Sequence, residues 1–265
     1  MKSLAKKILR RFNLEIKRID PNYRSVESAD TYFGLLAKIL SNHKVKLVLD
    51  VGASTGNWAS QLIEEGYDSK IVSFEPLSGS YRVLKSRCSE FPNWECQNFA
   101  MGDATGQTSI KVSKNNESSS ISKILNTHIE AFPESKIIRE ENIKVKTIDD
   151  FLQKRPDLGG NIFAKVDVQG FEKKVLTGAS ESLNRISILQ LEMGLEALYD
   201  DEFLFCDWLK HLKTLHFHPL HIQNAFSHHE TKRLLQVDCI FVNEKFDTFN
   251  IFIRCIFTTH CINCN

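Results

Sequence analysis

Short apolar runs alternate along most of the chain with stretches whose apolar positions recur at helical spacing. The runs at 45–51, 71–74, 94–100, 162–168 and 186–192 have the texture of strands buried on both faces. Between them, 56–65 carries Trp58, Ala59, Leu62 and Ile63 on one helical face and stops at Gly66. Helices are also predicted over 80–88, over 171–177 with Gly178 as its stop, and over 203–215 with Leu204, Trp208, Leu209 and Leu212 inward. A further helix, about 30–40, presents Phe33, Leu36, Ile39 and Leu40. Such alternation predicts a mostly parallel sheet joined by right-handed crossovers. Residues 217–222 and 236–242 predict a terminal strand pair. Residues 105–146 break the rhythm: short strands at 109–113 and 143–147 flank a Ser/Asn-rich loop at 114–122, an insertion on the sheet rim. Thr147-Ile148-Asp149-Asp150 reads as a helix-capping box.

Composition changes this picture only at the ends. The 265 residues are 42% hydrophobic, enough for a real core, and carry 34 Lys+Arg against 33 Asp+Glu. The formal net charge of +1 conceals an asymmetry. Residues 1–20 hold seven cations and two anions, net +5, so the rest nets −4. A nucleic-acid partner is therefore not expected. Leu4, Ala5, Ile8, Leu9 and Phe12 form the apolar side of a short basic helix. Residues 2–12 could contact an anionic membrane surface weakly, or the helix could dock on the domain. Cations interrupt the N-terminus, so no secretory signal is expected, and no apolar run reaches the ~20 residues of a membrane span. Seven cysteines, an odd number, read as reduced thiols. The expected location is cytoplasmic, with an option of peripheral contact at the inner face of the membrane. The expected division is 1–43 for the basic and capping helices, 44–245 for the main domain, and 246–265 for a tail of unassigned role. In that tail Cys255, His260, Cys261 and Cys264 lack a second zinc-spaced pair, so no metal site is assigned. Oligomeric state is not legible.

The first apolar run delivers the chain to Asp50-Val51-Gly52-Ala53-Ser54-Thr55-Gly56. Gly52 lets the backbone approach a ligand, and Gly56 lets a helix start close to the sheet. The Gly-x-x-x-Gly spacing is not the dinucleotide pattern, and no Lys-Ser/Thr follows to make a Walker loop. Glu75 ends the second run, 19 residues after Gly56, where a carboxylate can accept both ribose hydroxyls of an adenosyl ligand. These features favour S-adenosylmethionine over NAD and leave a NAD-dependent oxidoreductase as the weaker alternative.

Four ordered blocks resemble the FkbM family of S-adenosylmethionine-dependent methyltransferases. They are 50–56, Ser73-Phe74-Glu75-Pro76, Ala100-Met101-Gly102-Asp103, and Lys165-Val166-Asp167-Val168-Gln169-Gly170-Phe171-Glu172 with Val175-Leu176-Thr177-Gly178-Ala179 behind it. The resemblance spans about residues 45–243. It implies an α/β class I methyltransferase fold: a Rossmann-like three-layer sandwich whose mostly parallel seven-stranded sheet has an antiparallel last strand. It also implies O-methylation of a hydroxyl on a sugar, a glycan or glycolipid precursor, or a similar metabolite. Gly52, Ala53 and Gly56 would lie along the methionine part of the cofactor, Glu75 would hold the ribose, and Asp103 would sit near the adenine. The full candidate cofactor set is Asp50, Gly52, Ala53, Ser54, Gly56, Asn57, Glu75, Pro76 and Asp103. Family members often carry Glu where this chain has Gln169, which removes one candidate base or metal ligand.

For catalysis the first candidate is Asp167, which ends the fourth run on the rim where open α/β sheets bind ligands. Lys165 shares its strand face and could steady its charge. Glu192 ends the fifth run and is rim-placed as well. Glu172, near a helix start, suits a site role or helix-end stabilisation. A divalent cation bridging Asp167 and Glu192 is left open, with no metal ligand assigned. His216 and His218, expected on one strand face, and His221, His228 and His229 read as solvated or core histidines, with 223–232 as a loop that could line the acceptor pocket. The reading from a different class is a non-catalytic nucleoside-binding or membrane-peripheral scaffold.

Overall fold

The computed structural model describes residues 31–247. The basic segment at 2–12 and the cysteine-bearing tail lie outside the described residues. The first half alternates as expected: α1 (Tyr32–Asn42), β1 (Val45–Val51), α2 (Asn57–Glu64), β2 (Lys70–Phe74), α3 (Ser78–Cys88) and β3 (Trp94–Gln97). The run at 94–100 is not one strand. Asn98 Nδ2 donates to the carbonyls of Glu75 and Pro76 at 2.9 and 3.0 Å, which draws the chain off the sheet edge. It re-forms as β4 (Ala100–Met101) in a second sheet.

Two of that sheet's three strands fall within 105–146. β5 (Gly106–Ser113) and β6 (Ile137–Lys146) pair antiparallel, β4 joins β6 in parallel, and the three cover a small core of Leu77, Ala100, Ile110, Val112, Ile143 and Val145. β6 is longer than expected because no residue of 137–142 is fully buried and the segment carries no apolar rhythm. The short helix α4 (Asn126–Ala131) was not anticipated; it buries only His128 and Ala131. In α5 (Ile148–Gln153) half of the capping box forms. Thr147 Oγ1 accepts from the Asp150 N–H at 2.9 Å, while the Asp150 carboxylate takes the Thr105 hydroxyl instead of closing the box.

The alternation resumes with β7 (Asn161–Val166), α6 (Glu172–Thr177), β8 (Ile186–Gly194), α7 (Phe205–Thr214), β9 (Phe217–Ser227) and β10 (Leu234–Asn243). The main sheet has the order β3-β2-β1-β7-β8-β10-β9. Neighbours from β3 to β8 pair in parallel, and β10 runs antiparallel to both β8 and β9. The expected antiparallel last strand is therefore present. β9 extends to Ser227, so 223–227 is strand and not loop. His216 precedes β9 in left-handed backbone at φ +62°, and does not share a strand face with His218. Both histidines instead approach Glu244.

Strand periodicity sends alternate residues into two cores. Leu47, Leu49 and Val51 pack with Val166, Phe151, Val175 and Trp208 under α5, α6 and α7. Val48, Ile71 and Phe163 pack with Leu36, Leu40, Leu62 and Leu84 under α1, α2 and α3. One row on this second face is polar. Ser73, Asp50, Lys165 and Gln190 are register partners across β2, β1, β7 and β8, and all four are buried. This row leads to the rim where the strands end. Among the described residues no helix is long and apolar enough to cross a membrane.

Candidate active site

The turn after β1 is built around two conformational demands. Gly52 has φ +82°, and a Cβ there would lie 1.8 Å from the Asp167 carbonyl oxygen. Glycine thus allows the turns after β1 and β7 to touch. Gly52 and Ala53 donate N–H groups to the Phe74 carbonyl at 3.1 and 3.0 Å. Ser54, also left-handed at φ +49°, donates its N–H to Glu75 Oε2 at 2.8 Å. Leu77 N–H donates to Glu75 Oε1 at 2.8 Å. Glu75 is buried, and burial lifts its carboxyl to about 7 against the two N–H donors. The pair of donors fixes both oxygens at the cleft wall.

These turns bound a cleft of 340 Å³. One side is formed by Gly52, Ala53, Ser54, Asn57, Glu75 and Pro76; apolar surface comes from Leu77, Ala100, Met101 and Ile110. Polar lining comes from Lys165, Asp167, Gln169, Gln190, Glu192 and Asp238, and the insertion loop adds Asn116, Glu117 and Ser119. The structure therefore gathers most of the expected residues into one place.

Four of them stand elsewhere. Asp50 lies beneath the cleft, fully buried, with Oδ2 accepting from Ser73 Oγ at 2.8 Å; burial raises its pKa. Gly56 meets Leu84 and Trp94, so it serves helix packing and not the cleft wall. Asp103 pairs with Lys174 at 2.7 Å, which lowers its pKa, and it does not line the cleft. Glu172 turns away from the cleft, and its Oε1 accepts from Val168 and Gly170 N–H groups at 3.0 and 3.1 Å.

Lys165 Nζ lies 3.2 Å from Asp167 Oδ2 and 3.6 Å from Asp50 Oδ1, above the Trp58 ring at 5.6 Å. Burial opposes its charge, but the carboxylates of Asp167 and Asp50 outweigh burial and shift its pKa upward. Gln169 Nε2 donates to Asp167 Oδ1 at 2.9 Å and to Glu192 Oε2 at 2.8 Å. Asp167 is thus held on both oxygens. Glu192 also accepts from Gln236 Nε2 at 3.0 Å, and burial, then Asp167, pushes its pKa well up.

Sequence reasoning missed Gln190, Asp238, Tyr32 and Tyr199. Tyr32 OH donates to Gln190 Oε1 at 2.6 Å, and Gln223 Nε2 to Asp238 Oδ2 at 3.2 Å. A signal existed for Gln190: a polar residue inside an otherwise apolar run, like Asp50, marks a buried polar site.

Residues 50–219 match the methyltransferase FkbM domain. The chain belongs to that family. The FkbM chain has the class I sheet of S-adenosylmethionine-dependent methyltransferases, with its antiparallel last strand. A solved methyltransferase FkbM from Methylobacillus flagellatus is 16% identical, with a TM-score of 0.44, covering 74% of this chain and 43% of that one. This chain therefore spans less than half of that relative's length. Magnesium protoporphyrin IX methyltransferase from Synechocystis, solved with bound SAM, is 10% identical at a TM-score of 0.45, covering 87% of each chain. The 1,6-didemethyltoxoflavin-N1-methyltransferase of Burkholderia thailandensis, solved with 1,6-didemethyltoxoflavin and S-adenosylhomocysteine, is 11% identical at 0.43, covering 87% of this FkbM chain and 93% of that one. Comparison with curated proteins gives no match.

Proposed function

We propose that this FkbM-family chain transfers a methyl group from S-adenosylmethionine to a hydroxyl oxygen of a sugar, a glycan or glycolipid precursor, or a similar metabolite. The observation that carries the reading is Asp167, a rim carboxylate held on one oxygen by Lys165 and on the other by Gln169, lining the same cleft as Glu75. Bound in the cleft, the cofactor would supply an electrophilic methyl group on a sulfonium. Gly52, Ala53 and Ser54 would hold its methionine part. Glu75 keeps lone pairs free on both oxygens for ribose hydroxyls, beyond those used by Ser54 and Leu77. Leu77, Ala100 and Met101 offer apolar surface for the base, a role for which Asp103, paired with Lys174, is poorly suited.

Asp167 accepts a hydrogen bond from the acceptor hydroxyl and takes its proton as the oxygen attacks. Alignment supplies much of the acceleration. The proton transfer adds about 10²–10⁴-fold. Lys165 pairs with the Asp167 carboxylate at 3.2 Å. Burial raises the pKa of Glu192 well above the usual carboxylate range, which suits it to hydrogen bonding with the acceptor better than to proton removal. The basic segment at 2–12 supports a second, peripheral role in which the enzyme rests on an anionic membrane face in the cytoplasm.

Titration calorimetry tests the reading. The parent binds S-adenosylmethionine, and Gly52→Asp loses at least tenfold in affinity because a side chain meets the Asp167 carbonyl. No binding by the parent, or equal binding by the variant, removes the proposal. Asp167→Asn binds the cofactor like the parent but, with labelled methyl and an extract-derived acceptor, turns over about 10²–10⁴-fold more slowly. Cofactor binding without transfer to any extract fraction favours the non-catalytic reading.

A further inference from the structure

Gln169 sits in left-handed backbone at φ +59°, followed by Gly170 at φ +87°. That region disfavours a non-glycine residue, so the turn must be held by its surroundings. It is held from both sides. The Gln169 carbonyl accepts from Ser120 Oγ at 2.5 Å and the Gly170 carbonyl from Ser122 Oγ at 3.0 Å, while Glu172 takes the Val168 and Gly170 N–H groups. The turn aims the Gln169 side chain back over Asp167 and across to β8.

There the amide meets three partners. Its nitrogen stands 2.9 Å from Asp167 Oδ1 and 2.8 Å from Glu192 Oε2, spending one hydrogen on each. Its oxygen accepts the Tyr199 hydroxyl. The orientation is chemically forced: reversed, the amide would set its oxygen against two carboxyl groups. Tyr199 is buried against Gly170, where a Cβ would come within 2.4 Å of the Tyr199 Cβ.

Two carboxyl groups this close to one point ordinarily share a proton or a cation. A hard divalent cation between them would need oxygen ligands, and a nitrogen with two N–H donors already occupies that point. We propose that the Gln169 amide takes the place of a divalent cation between Asp167 and Glu192, fixing both for the acceptor without metal, and that Tyr199 locks the amide in that orientation. Gln169 is a positioning residue. Its nitrogen bonds one oxygen of each carboxyl group, while Lys165 stands on the other oxygen of Asp167. The inference builds on the methyl-transfer reading, but the metal-binding arm of its test needs no acceptor, so either can fail alone.

The test is Mn²⁺ titration of the full chain followed by electron paramagnetic resonance, with calorimetry against S-adenosylmethionine as a check on the fold. Gln169→Glu turns the nitrogen into a third converging oxygen donor. It is expected to bind Mn²⁺ at least about tenfold more tightly than the parent, and adding Glu192→Gln should erase that gain. Tyr199→Phe, which frees the amide to rotate, should change the pH profile of turnover while leaving cofactor affinity unaltered. Parent protein that binds Mn²⁺ as tightly as Gln169→Glu would overturn the proposal. So would a Gln169→Glu protein that binds the cofactor normally yet gains no Mn²⁺ affinity. Should that variant not fold, the parent still decides: tight Mn²⁺ binding lost in Glu192→Gln sinks the idea, and its absence supports it.

Discussion

Glu172 spends its carboxylate on two backbone N–H groups of the turn that carries Gln169. Burial lifts its carboxyl from 4.5 to about 8. The folded chain therefore keeps a proton that the unfolded chain has released, and folding stability is lost as pH rises from about 4.5 to about 8. Glu75, lifted to about 7, contributes in the same direction. Glu172→Gln keeps an acceptor oxygen for both N–H groups and removes the titration. Thermal melts at pH 5 and pH 8 should differ less in this variant than in the parent; an unchanged difference would show that Glu172 does not set it. At this scale the sequence was informative where chemistry is local. The Gly52 turn, Glu75 and Asp167 stand at strand ends that the apolar runs define. Lys165 was legible beside Asp167, but its second partner, Asp50, depends on register between β1 and β7, which no short segment encodes. Tyr199 and Gln169 likewise meet through packing of distant segments.

Elements with strong periodicity were found within a few residues of their observed ends, because strands such as β1 and β7 bury nearly every position. The insertion was read less well. Residues 137–142 and the helix α4 bury too little to leave a pattern, and Asn98 breaks an apolar run through side-chain bonds that no periodicity anticipates. The link between β7 and α6 leaves little room for change. Gly170→Ala would put a Cβ 2.4 Å from the Tyr199 Cβ in backbone that disfavours any side chain. The substitution is expected to cost about 2 kcal/mol, read as a lower denaturation midpoint, and to displace Gln169. A variant as stable as the parent would mean that this turn adjusts freely.

For the whole molecule, charge separates two tasks. The first twenty residues net +5 and the remainder −4, so any attraction to an anionic surface belongs to the N-terminal segment and not to the cleft. Deleting residues 2–12 should abolish sedimentation with anionic vesicles at low salt while sparing cofactor binding. Retained sedimentation would assign the surface to another part of the chain.

The polar row Ser73–Asp50–Lys165–Gln190 has a consequence for assembly as well as for the cleft. Slip β7 by one residue against its neighbours and every side chain changes face. Lys165 would then enter the core of Leu49, Val51 and Val175 without a carboxylate in reach, while an aliphatic residue would stand opposite Asp50. Either fault costs far more than a lost van der Waals contact. The lysine that steadies the rim carboxylate thus also serves as a proofreading mark: the sheet can close at low cost in only one alignment, the one that assembles the cleft.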